Sequence, residues 1–281
     1  MRQTLADHRL RAERVVPRTR PTGYNYAMSA AIDFNSDLGE SFGRWNLGED
    51  AAMVRFVTSA NVACGFHAGD FEVMDRTVAL CKSAGVGVGA QPGYLDLQGF
   101  GRRPMHLTAD EAEALILYQI GALYAFCRAH GVELTHVKPH GALYNQAAVD
   151  SALARAIARG VARFSATVPL VALAGSTAFS EAAAEAGLRM IAEAFADRRY
   201  NPDGTLQSRA IAGSLLTDPE LAAAQALRIA QHGSAVAHDG TEIKIAAESI
   251  CFHGDTPGAP AIVANARATL EAAGLTIRPF A

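Results

Sequence analysis

The chain has 281 residues, 50% hydrophobic and 19% charged, which is enough to bury a sizeable core in one α/β unit. Its 25 lysines and arginines against 28 aspartates and glutamates leave a net charge of −3, so neither a nucleic-acid-binding nor an acidic solvating role is indicated. No apolar run is long enough to span a bilayer, and four cysteines without a CxxC pair indicate reduced thiols in a cytoplasm.

The N-terminal stretch is arginine-rich and lacks both periodicity and the apolar region of a secretory signal. Residues 1–28 therefore read as a disordered or non-native extension, and residues 29–281 as a single domain. From there, short apolar runs alternate with helical patterns. Strands are predicted at 30–35, 60–65, 86–91, 134–139, 169–175, 188–194 and 248–254. Helices are predicted at 49–57, 70–85, 108–131, 150–166, 177–187 and 218–233, with a last one beyond the seventh strand. Thr108 and Glu111 form a capping box, and Gly85, Gly131, Gly187 and Gly233 stand where helices should end. Asp239-Gly240 between two short alternating runs predicts a hairpin insertion near 235–245. Near-continuous apolar strands separated by helices imply parallel pairing. The expected fold is a seven-stranded parallel (β/α) barrel, with an open doubly wound sheet as the alternative.

Such folds gather their ligand sites at the carboxyl ends of the strands. The segments there are NSDLGESFGRWNLGED, GFHAGD, QPGYLDLQGFGRR, KPHGALYN, AFADRRYNPDGTLQSR and FHGD; only GSTAFS, after the fifth strand, is uninformative. Asp37 and Glu40 read either as helix caps or as site acids. Asp70 reads chiefly as a cap for the helix that follows it, and Asp255 as a cap for the last helix. His67, His140 and His253 recur at equivalent strand ends, which favours a shared site over three unrelated structural histidines. His106, His130, His136, His232 and His238 read as ordinary loop or helix-end residues.

Two chemistries fit this set. Asp37, His67 and His140 could hold a divalent metal, a set that resembles those of barrel deacetylases. Without metal, Asp37 or Glu40 would act as base while histidines stabilise developing charge. Lys138 could meet an anionic oxygen or simply lay its stem under a loop. Arg102, Arg103, Arg198, Arg199 and Arg209 are candidates for a bidentate grip on a carboxylate or phosphate, of which two or three could reach one site. Cys64 and Cys251 precede strand-end histidines, but a small buried apolar role is favoured over a nucleophilic thiolate. There is no GxxxxGK[ST] loop and no GxGxxG after a strand.

The stretches DFNSDLGESFG, ANVACGFHAGD, GFGRR, VKPHGALYN, EAFADRRY with GTLxxR, and ICFHGDTP together resemble the LamB/YcsF family, from about residue 32 to 258. The resemblance implies a barrel similar to carbohydrate deacetylases and a role in ATP-dependent 5-oxoprolinase. That enzyme opens the lactam of 5-oxo-L-proline to L-glutamate with ATP, accompanied by Mg2+, and with two partners, the B and C subunits. On this view Asp37, Glu40, His67 and His140 are catalytic, and Lys138, Asp197, Arg198, His253, Asp70 and Arg102 contact substrate. The rival readings are a metal-dependent deacetylase or amidohydrolase acting alone, and a non-catalytic lactam-binding subunit. One departure stands out: the family's histidine before Pro-x-Tyr is Gln91 here, which can hydrogen-bond but cannot hold a proton.

Overall fold

The computed structural model describes residues 31–280, so the extension expected over residues 1–28 lies outside the described residues. Seven parallel strands close into a barrel: β1 (Ala31–Leu38), β2 (Ser59–Ala63), β3 (Gly87–Gln91), β4 (Leu134–Val137), β5 (Leu170–Leu173), β6 (Met190–Phe195) and β9 (Ser249–Phe252). Neighbours pair in that order, and closure comes from β9 pairing with both β6 and β1, with Asp33 opposite Ser249 and Asn35 opposite Cys251 in the last register. The barrel is thus the expected one rather than the open sheet. A two-residue strand, β10 (Thr276–Ile277), pairs in parallel with the start of β1 and was too short for the sequence pattern to mark.

The covering helices are α1 (Asp50–Met53), α2 (Phe71–Ala84), α3 (Ala109–His130), α4 (Gly141–Ala147), α5 (Ser151–Phe164), α6 (Thr177–Glu185), α7 (Pro219–His232) and α8 (Ala259–Ala272). In α3 the capping box forms as read: the Thr108 hydroxyl accepts from Glu111 N, and Thr108 N donates to the Glu111 carboxylate. Its buried stripe, Ile116, Ile120, Leu123 and Cys127, follows helical spacing and faces the barrel. Left-handed glycines end α2, α3 and α7. Gly187 is also left-handed, one position beyond the Ala186 cap of α6. The helix expected over 49–57 shortens to α1, and α4 appears where only a site loop was read. Strands β7 (Ser234–Val236) and β8 (Glu242–Lys244) form the antiparallel hairpin before β9. No helix among the described residues is long and apolar enough to cross a membrane, and all four cysteines are buried and free.

The barrel interior differs from the apolar filling implied by apolar strands. Side chains alternate across a strand, and the alternate residues Asp33, Asn35 and Asp37 of β1 form a polar ladder with groups on neighbouring strands. Asp33 accepts from the hydroxyls of Thr58, Ser59 and Ser249. Asn35 Nδ2 donates to Ser249 Oγ at 2.7 Å, and Asn61 Nδ2 donates to Asn35 Oδ1 at 2.7 Å. His136, read from sequence as an ordinary loop residue, lies inside β4 with no exposure, its ring nitrogens 2.8 Å from Asn61 Oδ1 and 2.9 Å from Thr135 Oγ1. Gly89 of β3 stands opposite it in register, and any Cβ there would collide with the imidazole. A buried polar network of this kind is favourable only because its members satisfy one another.

Candidate active site

Above this ladder the strand ends open into a cavity of about 540 Å³, lined by Asp37, Lys138, His140, Arg198, Arg209 and His253 among others. Its floor is a buried charge cluster. Lys138 Nζ lies 2.8 Å from Glu193 Oε1 and 3.1 Å from Asp37 Oδ1, with further contacts to Asn35 Oδ1 at 3.2 Å and Cys251 Sγ at 3.1 Å. Three ammonium protons are therefore shared among four acceptors, leaving none for a ligand. Tyr144 on α4 donates to Glu193 Oε2 at 2.8 Å, and Asn61 Nδ2 donates to Asp37 Oδ1 at 2.9 Å. Burial works against an ionised Asp37, but Lys138 foremost, together with His253, His140 and the Asn61 hydrogen bond, outweighs it and holds the carboxyl well below the usual carboxylate range. Burial likewise opposes the Lys138 ammonium, and Asp37 foremost reverses that, so its pKa rises well above normal. Glu193 and Tyr144 carried no role in the sequence reading, although an acid flanked by alanines inside an otherwise apolar strand was a visible signal for Glu193.

Beside this cluster, His67 and His140 stack face to face, ring centroids 3.7 Å apart and planes 6° from parallel. His140 Nε2 donates to the Phe100 carbonyl at 2.9 Å, which leaves Nδ1 bare and 3.6 Å from Glu40 Oε1. His67 Nε2 lies 3.7 Å from the same oxygen. Burial drives the His67 pKa down to about 3; burial and then His67 push His140 well below its usual value. Burial, then the charge of Asp37, pushes Glu40 well above the usual carboxylate range. Burial thus favours neutral imidazoles and biases the acid of this trio toward its protonated form. Gln91, without exposure, adjoins His67.

The loop after β3 roofs the pair. Phe100 adopts a left-handed φ of 55°, the only non-glycine to do so among the described residues, and its ring meets both histidines edge-on. That conformation costs about 1–2 kcal/mol and aims the carbonyl at His140. Gly101 follows at φ 64°, and a Cβ there would come within 2.7 Å of His67 Cβ. Asp96 holds the loop by accepting from Gly99 N and the Arg103 guanidinium.

A second histidine unit sits at the β9 end. His253 Nδ1 lies 2.9 Å from Asp197 Oδ1, and Asp197 also accepts from His253 N at 2.9 Å and Thr256 Oγ1 at 3.2 Å. The acid fixes the ring tautomer and leaves Nε2 as the acceptor. Burial lowers the His253 pKa, with Asp197 partly restoring it. Asp255, expected as a cap, instead pairs with Arg102 at 2.7 Å and Arg209 at 3.4 Å; α8 begins after Gly258 without a side-chain cap. Asp70 does cap α2, accepting from Val73 N at 2.9 Å and from Gly43 N at 2.6 Å. Those bonds occupy its carboxylate. Cys64 behaves as the small buried residue expected, its thiol pushed up to about 12 by burial; Cys251 lies against Lys138, also raised by burial.

Among the described residues, two groups have the spacing of metal ligands, Glu40–His67–His140 and Asp37–Cys251–His253. The first differs from the sequence-derived set in having Glu40 where Asp37 was named. An imidazole lone pair lies in the ring plane, so an ion in the plane of one stacked histidine is out of the plane of the other. In the second, the Lys138 ammonium already occupies the space between Asp37 and Cys251. Neither arrangement fits a resident cation as it stands.

A seven-stranded parallel barrel whose mouth carries buried acids, histidines and arginines defines an α/β-barrel protein with a polar cavity at the carboxyl ends of its strands. The LamB/YcsF family matches residues 32–281, and the chain belongs to that family. It is 53% identical to the 5-oxoprolinase A subunit of Symbiobacterium thermophilum over 88% of this chain and 94% of that one. It is 51% identical to the protein of the same name from Streptomyces coelicolor, over 89% of this chain and all of that one. A solved lactam utilization protein from Thermus thermophilus superposes with a TM-score of 0.84 at 47% identity, covering 89% of this chain and all of its own.

Proposed function

We propose that this chain is the lactam-opening component of an ATP-dependent 5-oxoprolinase that converts 5-oxo-L-proline to L-glutamate. The observation that carries the reading is identity above one half with a protein named as the A subunit of 5-oxoprolinase, over nearly its whole length. A lettered subunit implies partners. Two of them, the B and C subunits, are the expectation, and they would supply the nucleotide site that this chain lacks as a phosphate-loop motif. Its four buried thiols suit a reducing cytoplasm.

A five-membered lactam recloses readily because its amine and carboxyl are held together, so coupling to ATP drives the opening. In the proposed course the lactam oxygen takes the γ-phosphoryl group of Mg2+-bound ATP and releases ADP. Water then adds to the ring carbon, and the C–N bond breaks to leave γ-glutamyl phosphate. A second water releases phosphate. The attacking water needs a base, and His253, kept neutral and oriented by Asp197, is placed to take its proton. Glu40, which burial biases toward its protonated form, is suited to give a proton, by way of His140 or His67, to the departing ring nitrogen. Asp37, held ionised by Lys138, stabilises positive charge that develops at that nitrogen. Lys138 acts through Asp37 and Glu193 rather than on the ligand. The test is reconstitution of the chain with its partner subunits, ATP and 5-oxoproline, leaving out each component in turn. Glutamate and ADP should form only in the full mixture. Glutamate without ATP would support the amidohydrolase reading instead, and ligand binding without any turnover would support the non-catalytic one.

A further inference from the structure

We propose that Arg198 and Arg209 form a subsite for one oxyanion, a carboxylate or a phosphoryl group, on the β6 side of the cavity. Both line the cavity. Arg198 is only 4% exposed. One of its N–H groups donates to the Gln207 carbonyl at 2.5 Å, while Nε has no partner. Arg209 reaches Asp255 from Nη1 at 3.4 Å, and its Nη2 is likewise unpaired. The acids nearby are already engaged. Asp255 is shared with Arg102, and Asp197 accepts from His253 and Thr256.

A buried guanidinium with unsatisfied donors is costly unless an anion completes it. Burial, and next the charge of Arg209, pull the Arg198 pKa down to about 10. Repulsion between the two cations is what an oxyanion placed between them would relieve.

The segment that carries them is fixed in place. Arg199 N donates to Ser214 O, Gln207 N to Arg199 O and Leu216 N to Asp197 O. Gln225 Nε2 on α7 donates to the carbonyls of Phe195 and Arg198, both at 2.8 Å. The two guanidiniums are therefore presented by an ordered lobe, and a planar fork meets a carboxylate or phosphoryl face with paired N–H bonds. The inference stands whether or not the physiological lactam is 5-oxoproline.

Isothermal titration calorimetry on the full chain tests it with three probes: inorganic phosphate, 5-oxoproline and the neutral lactam 2-pyrrolidinone. Arg198→Gln and Arg209→Gln should each weaken the anionic probe that uses the subsite by about 10- to 100-fold, with 2-pyrrolidinone unchanged. Loss of phosphate binding alone assigns a phosphoryl group; loss of 5-oxoproline binding alone assigns the substrate carboxylate. Should Arg198→Gln fail to fold, Arg209→Gln decides the matter, because its side chain is 20% exposed and tolerates polar replacement. Anion binding that is absent from the parent chain, or undiminished in the variants, overturns the proposal. Failure of glutamate formation in the reconstituted complex would count against the proposed reaction and leave this result untouched.

Discussion

Replacing Lys138 by methionine tests the charge cluster most severely. The side chain is 3% exposed and stands between Asp37 at 3.1 Å and Glu193 at 2.8 Å. Methionine keeps the volume and removes the charge, so two buried carboxylates lose their common cation. Removing one partner of a buried ion pair costs about 3–5 kcal/mol, which for a chain of this size lowers Tm by roughly 10 °C. The pH dependence supplies the check on cause. In the parent chain Asp37 has a depressed pKa, so its stabilising contribution is present above the unfolded value of about 3.9 and fades only as pH falls through the folded one. Without Lys138 burial dominates and raises that pKa, so the penalty is full at neutral pH and disappears as the carboxyl takes a proton. Urea unfolding of both proteins between pH 7 and pH 4 should therefore show a gap that narrows on acidification. A gap below about 0.5 kcal/mol at pH 7, or one that widens toward pH 4, would refute the reasoning.

Asp33 gives the opposite sign. Burial raises its pKa to about 6 despite three hydroxyl donors, so ionising it costs stability. Its favourable state is fully present below about 3.9 and is lost as pH rises through 6, a swing of about 3 kcal/mol. The stability difference between parent and Asp33→Asn should move toward the parent as pH falls from 8 to 5; a flat difference contradicts the shift. Gly101→Ala should lose about 1–3 kcal/mol by urea unfolding and most of its turnover, since the new Cβ displaces His67; unchanged turnover would separate the stacked pair from function. Asp70→Ala should cost about 1 kcal/mol through the lost cap while the KM for lactam stays put. A raised KM would return Asp70 to the ligand-binding set.

Much of the fold was legible because buried parallel strands punctuated by glycine leave a strong rhythm, and the seven predicted strands overlap the seven of the barrel. The strand-end rule likewise pointed to residues that the fold brings together. Asp37, Lys138, His140, Arg198 and His253 line one cavity, and Glu40 and His67 adjoin it. What escaped was anything set by pairing across strands. Asn61, His136 and Glu193 are given no role by their own segments and become a network only when the closed barrel turns β2, β4 and β6 inward, where Asn61 meets Asp37, His136 meets Asn61, and Glu193 meets Lys138. The backbone of Phe100 escaped for a similar reason: its left-handed turn is imposed by packing on two histidines, and phenylalanine does not signal it. Asp255 was misjudged because a local capping pattern competed with two arginines remote in sequence.

The central claim is that the lactam opens at this barrel's mouth. Its most direct measurement is the rate of glutamate formation by the reconstituted complex when this chain carries Asp37→Asn, set beside Arg155→Ala, an exposed α5 change, as control. The account predicts a loss of at least about 100-fold, the scale of a lost electrostatic stabiliser, for Asp37→Asn, with the control at the parent rate. An Asp37→Asn complex that forms glutamate at the parent rate would place the chemistry elsewhere.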